Sequence, residues 1–251
     1  MNRLIACALL LMLLVGFAFG QTKNNAAPAK QAPTSFTDKV LKFLGISDNP
    51  GTLKGPGDEV TSGEVWLADL QASTTRPLTS GDGYRSPIFL SGGSQVLALH
   101  DKDVVQVPVA GGQARKLYSV DGILKLVGNS SGDAGTVLIL LRGGSDSRPR
   151  VGLLTVATGA VSPVPYDADS SQDLQMLEGI EGWSRSYGDR HIYVKRQSKK
   201  ALSGTVEWSD VFLEVGNQTP VDASKCEGVN CGQPSLSENG RQLVFIKAQT
   251  E

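Results

Sequence analysis

The sequence predicts an all-β fold built from four copies of one four-strand unit, and three observations predict it. Glu64–Leu70 alternates, with Val65 and Leu67 on one side and Trp66, Ala68 and Leu70 on the other. Both sides are largely apolar, the pattern of a strand covered on two faces. A polar turn follows, then a short segment ending Pro77-Leu78-Thr79, then Ser86–Leu90, a turn at Gly92-Gly93 and a strong strand at Gln95–Leu99. Strand, turn, strand, turn in units of this size is all-β grammar. The same grammar then recurs to the C-terminus. One recurring strand is Glu64–Leu70, Asp103–Val109, Val151–Val156 and Asp210–Val215; a second is Gln95–Leu99, Thr136–Leu140, His191–Lys195 and Gln242–Ile246. Weaker strands ending Pro77-Leu78, Lys116-Leu117, Pro163-Val164 and Pro220-Val221 lie after the first kind, and turns with Gly, Asp or Asn lie before the second. The unit length is near the ~40–50 residues of a propeller blade.

The segments before the repeats have different physics. Met1–Gly20 carries Asn2-Arg3, then an apolar run over Leu4–Phe19, then Ala18-Phe19-Gly20 with small residues at minus three and minus one. This is the pattern of a secretory signal peptide cleaved before Gln21. The alternative, an uncleaved anchor, suffers because the run falls short of the ~20 apolar residues of a comfortable span. Residues 21–58 read as a tether: QTKNNAAPAKQAPT is polar and Pro- and Ala-rich, without periodicity. Inside it, residues 35–44 place Phe36, Val40, Phe43 and Leu44 at helical spacing. The expected short amphipathic helix either packs on its own domain or docks on another protein. Residues 59–251 form the repeat domain.

The repeat cores resemble those of TolB-type β-propellers. The resemblance rests on Ser86-Pro87-Ile88-Phe89 followed by Gly92-Gly93-Ser94-Gln95-Val96-Leu97, and on Gln233-Pro234-Ser235-Leu236-Ser237-Glu238-Asn239-Gly240-Arg241-Gln242-Leu243-Val244-Phe245. The family pattern is Ser-Pro-x-hydrophobic-Ser-Pro-Asp-Gly leading into a strand. The last copy is close to it, the first lacks the Pro-Asp, and the middle two, Lys125–Gly132 and Glu181–Asp189, lack the Ser-Pro. The resemblance implies a propeller; the four repeats counted above give it about four blades, each a four-stranded antiparallel sheet, and the sequence order suggests that strands from both ends of the chain close one blade. The resemblance also implies a periplasmic or extracellular location. A family member usually has more blades, so a second copy completing the ring is the alternative to a closed monomer.

Composition excludes some partners and limits the chemistry. With 24 basic and 25 acidic residues, the whole-chain balance is near neutral and makes no case for nucleic acid or for stable membrane insertion once the leader is gone. Cys226 and Cys231, the cysteines left after the leader, are expected to form a disulfide in an oxidising compartment. Gly128-Asn129-Ser130-Ser131-Gly132 matches the hydrolase elbow, but that elbow needs a strand before it and a helix after it, and here a strand follows. Asp167, Asp169, Asp173 and Glu178 fall at calcium-loop spacing, with Gln172 where the sharp turn requires glycine. An acidic surface loop is the plainer reading of that stretch, and calcium the sharper one. His100 and His191 stand apart in sequence from any nucleophile.

The expectation is therefore a non-catalytic exported module without a cofactor, binding a protein through loops on a stiff scaffold. Tyr84, Arg85, Trp183, Arg185 and Trp208 are the candidate contact residues, because Trp, Tyr and Arg dominate binding hot spots. The rival readings are an accessory propeller of a prolyl-oligopeptidase-like protease and a glycan-binding propeller.

Overall fold

A computed structural model describes residues 60–130, 135–142, 150–164, 185–202 and 204–248. The leader, the tether with its helix over residues 35–44, and the acidic stretch from Asp167 to Glu178 lie outside the described residues. Within them, sixteen strands form four antiparallel sheets of four strands each.

The first blade is composite. Its order is β15 (Cys231–Leu236), β16 (Gln242–Lys247), β1 (Glu64–Asp69) and β2 (Thr74–Pro77), so the two ends of the described chain share one sheet. Trp66 sits directly opposite Phe245, and Leu67 opposite Val244. Gly63, just before β1, packs so close to the Lys247 carbonyl that no larger residue fits. The second blade is β3 (Tyr84–Phe89), β4 (Gln95–His100), β5 (Asp103–Pro108) and β6 (Arg115–Ser119). The third is β7 (Ile123–Asn129), β8 (Thr136–Leu141), β9 (Arg150–Thr155) and β10 (Val161–Pro163). The fourth is β11 (Arg185–Tyr187), β12 (Arg190–Ala201), β13 (Gly204–Val215) and β14 (Val221–Asp222).

Three apolar layers stack these sheets. Val65, Leu67, Val244 and Ile246 of the first blade meet Phe89, Val96, Ala98 and Val107 of the second. Leu97, Leu99 and Val104, on the other side of the second blade, meet Leu126, Val137, Ile139 and Leu154 of the third. Ala68, Leu243 and Phe245, on the other side of the first blade, meet Ile192, Val194 and Val211 of the fourth. The first and second blades are thus apolar on both faces, which is why Val96-Leu97-Ala98-Leu99 is an unbroken run with every residue fully buried. The leading strands β15, β3 and β7 pack side by side, so the first three sheets radiate from a common line, and the fourth joins them through β12 and β13, which pack against β15. Four-stranded meanders arranged this way, one of them sealed by both chain ends, are the architecture of a β-propeller.

The leading strands are also bulged. Register shifts lie between Arg85 and Ile88 in β3 and between Gly232 and Ser235 in β15, and β7 has two. Ser86 and Gln233 occupy matching places in those bulges, each just before a proline, with φ of 51° and 54°. This explains the Ser-Pro signature physically: the bulge turns the strand, and the proline locks the residue after the turn. A left-handed non-glycine conformation costs about 1–3 kcal/mol and persists only where its surroundings hold it. Gln233 supplies part of that hold. Its Nε2 donates to the Val60 carbonyl at 2.6 Å, and its Oε1 accepts the Ser86 amide hydrogen.

Candidate binding face

One end of each blade carries the start of its leading strand, the end of the second and the start of the third. In the second blade these are Tyr84, His100 and Asp103, which lie opposite one another in turn. Bonds between blades bring these ends together. Gly63, ahead of β1, bridges to Tyr84; Arg85 reaches carbonyls at the start of β7; Ser209 Oγ donates to the Cys231 carbonyl at 2.9 Å. The far end is stitched separately, where Arg190 Nη1 donates to the Asn239 carbonyl at 3.2 Å and Glu238 accepts from the Gly92 amide at 3.3 Å.

The near end collects several of the residues singled out by the sequence. Tyr84 is half-buried and lies against His100, with ring centroids 4.6 Å apart at 44°. It also forms one wall of an open, mainly polar cleft of about 480 Å³ shared with Leu78, Thr79, Ser80, Gln113 and Ala114. Arg85 stands next to it but is committed inward. Its Nη1 donates to Leu124 O and its Nη2 to Asp101 O, each at 2.5 Å, tying the second blade to the third. Burial pulls the Arg85 pKa below its ordinary value, against the opposing pull of Asp101. The backbone of Arg185 opens β11 in the fourth blade, while Trp183 lies outside the described residues.

Trp208 lies in β13 and donates its indole Nε1–H to Asp210 Oδ2 at 2.6 Å. Asp210 is the buried centre of a polar cluster and only 2% exposed. Its Oδ1 accepts from Ser224 Oγ at 3.1 Å and from the Cys226 amide at 2.8 Å. Asp222 Oδ1 caps the same turn, accepting from the Ser224 and Lys225 amides. Burial raises the Asp222 pKa, and the nearby Asp210 charge pushes it the same way, against those hydrogen bonds. The Cys226–Cys231 disulfide, with Cα atoms 6.3 Å apart, closes the loop that presents the Cys226 amide. The disulfide therefore fixes a donor to a buried carboxylate as well as the start of β15. No spacing pattern marks Asp210, Ser224 or Gln233 in the sequence; only their burial and bonds reveal them.

The fourth blade has one element that the repeat does not predict. β12 and β13 pair over twelve residues each, from Arg190↔Val215 to Ala201↔Gly204, whereas β11 and β14 cover only the inner end of that ribbon. Ile192 and Val194 face the first blade. On the opposite face His191, Tyr193 and Phe212 stack in series, with centroids 5.2 Å and 5.9 Å apart, and Lys195 Nζ lies 5.4 Å over Phe212. Beyond Gln197 and Trp208 both strands are exposed, forming an arm at the near end. Of the elbow-like Gly128–Gly132 stretch, Gly128 and Asn129 end β7 and the Ser130 amide donates to Thr136 O at 2.8 Å, while Ser131 and Gly132 lie outside the described residues.

No family model and no curated protein sequence matches this chain. Solved structures to which it is similar include one assigned as TolB from Agrobacterium tumefaciens, at 13% identity and a TM-score of 0.35, covering 74% of this chain and 61% of that one. The AtxE2 isopeptidase follows at 14% identity and a TM-score of 0.29, over 67% of this chain and 30% of that one. The β-propeller domain of the trilobed protease from Pyrococcus furiosus, described as having an open velcro topology, is similar at 10% identity and a TM-score of 0.25, over 70% and 68%. The chain thus spans about three fifths of the TolB structure and three tenths of the isopeptidase. The fold assignment above rests on this chain's own strand pairing.

Proposed function

We propose that this protein is an exported, non-catalytic β-propeller that binds a protein partner through the near end of its blades. The observation that carries the reading is that Tyr84, packed against His100, and the disulfide-closed loop before β15 are presented at the same end of the blades. Recognition on such scaffolds is carried by loops that the sheets hold still. The charged and polar groups beneath that face support the same view. Arg85, Asp210 and Gln233 are each committed to hydrogen bonds that join blades or loops, so they act as framework for the surface above them. Export is supported by the Met1–Gly20 pattern together with the disulfide, which persists in oxidising compartments.

The test is capture from the envelope fraction of the native host, read by mass spectrometry, with Tyr84→Ala as the paired bait. A partner enriched by the parent chain and lost with Tyr84→Ala supports the reading. A peptidase assay and a glycan array on the same preparation serve as the opposing arms. Turnover of a peptide substrate, or saturable binding of a defined glycan with no protein captured, overturns it.

A further inference from the structure

We infer that the tip of the β12–β13 arm docks on an anionic lipid surface. Two apolar side chains stand exposed near the apex: Leu202 is 112% exposed relative to a free residue, and Val206, two residues past Gly204, is 44% exposed. Directly behind it stand Lys199 and Lys200, both exposed, with Lys195 further back. The pairing register decides which surface suits this arrangement. Lys199 lies opposite Val206 and Lys200 opposite Thr205, so consecutive lysines project from opposite faces of the ribbon. A protein groove contacts one face of a ribbon and leaves the other in water. A planar interface met end-on takes both cations at the same depth, with the leucine below them among the acyl chains. Ammonium groups at headgroup level around a buried apolar tip are the arrangement found in interfacial anchors. Glu207 is the acidic residue of the exposed part, set against the two lysines at the tip.

Reach and backbone chemistry agree with this. From Ser198 to Ala201 the exposed arm extends about 10 Å. As far as Ala201 and Gly204 the strands β12 and β13 are paired along their whole length, so the arm behind the tip has its backbone groups satisfied. Lys199 and Lys200 outnumber Glu207 in the exposed arm, a local excess that the near-neutral whole-chain charge hides.

The test is co-sedimentation of the chain from Gln21 onward, as proposed export leaves it, with vesicles of phosphatidylglycerol and phosphatidylcholine, against phosphatidylcholine alone. Binding to the anionic vesicles is expected, weakened by salt. Lys199→Gln with Lys200→Gln should lower it on the order of thirtyfold, at the usual contribution of a lysine near an anionic surface. Leu202→Ser should lower it at least about tenfold, since one apolar side chain leaves the interface. Leu202→Trp supplies a second readout, an emission blue-shift on adding anionic vesicles. Unchanged melting temperatures in all variants confirm that folding is intact. Equal binding to both vesicle types, equal binding by the lysine variant, or displacement of bound chain by polyglutamate without return to vesicles overturns the inference, the last in favour of an acidic protein. Partner capture through Tyr84 is read separately, so either proposal can fail alone.

Discussion

The first and fourth blades contain the same number of strands and share one apolar layer, yet they put strand length to opposite uses. In the first blade β1 and β16 are six residues long and end where the core ends. Both of its faces are covered, with Val65 and Val244 on one side and Leu243 and Phe245 on the other. In the fourth blade β12 and β13 run twice as far, and their outer part touches no core. Strand length in the first blade is set by packing; in the fourth the excess serves presentation. The two blades meet at Phe245 and Val211, so damage to one side of that layer can be compared directly with damage to the other.

The comparison is sharpest in stability. Phe245→Ala, which empties a fully buried site between the blades, should cost about 3–5 kcal/mol in chemical denaturation. Phe212→Ala, in the half-buried stack on the opposite face of the ribbon, should cost about 1 kcal/mol. Equal losses would mean that the outer face of the fourth blade is as much core as the inner one. Asp210→Ala strands the Cys226 amide, the Ser224 hydroxyl and the Trp208 indole, and should cost about 2–3 kcal/mol. A loss well below 1 kcal/mol would show that the cluster is replaceable by water. Reducing the Cys226–Cys231 bridge, or changing both cysteines to serine, should cost about 2 kcal/mol on the chain-entropy view of so short a loop. That loss should be smaller in an Asp210→Ala background, because the bridge and the carboxylate hold the same turn.

The smallest effect is a pH dependence. The Asp222 carboxyl titrates above its ordinary value when folded, so the folded state holds its proton more tightly than the unfolded chain does. Its contribution to stability is therefore present below the ordinary carboxylate pKa and is lost as pH rises through the raised one. Asp222→Asn keeps the Oδ1 acceptor for the Ser224 and Lys225 amides and should flatten that part of the stability profile. A mildly acidic melting series that is the same in parent and variant would remove the group from the account.

How much of this was legible beforehand follows from which forces leave a trace in sequence. Burial on two faces leaves a strong one: the unbroken apolar runs Val65–Ala68 and Leu243–Ile246 read as strands of one blade because both faces of each strand are covered. The arm left none. Past Val194 the sequence Lys195-Arg196-Gln197-Ser198-Lys199-Lys200 reads as a solvated loop, because backbone pairing without a core imposes no hydrophobic period. Residue type was also an incomplete guide to role. Arg85 has the chemistry of a contact residue, yet its position two residues into a bulged strand directs it onto the carbonyls of the next blade. Gln233 looked like one letter of a degenerate Ser-Pro signature and is instead a cross-brace between three segments distant in sequence.

The composite sheet also sets the order of events during synthesis. β1 and β2 emerge early, but the edge of β1 has no partner until Lys247 has been made. The last sheet is finished by pairing across most of the chain, a topology that folds slowly. Until then the molecule offers an apolar strand with an open edge to anything nearby. Loss of only the final dozen residues, which removes β16, would leave β1 without the strand that completes its sheet.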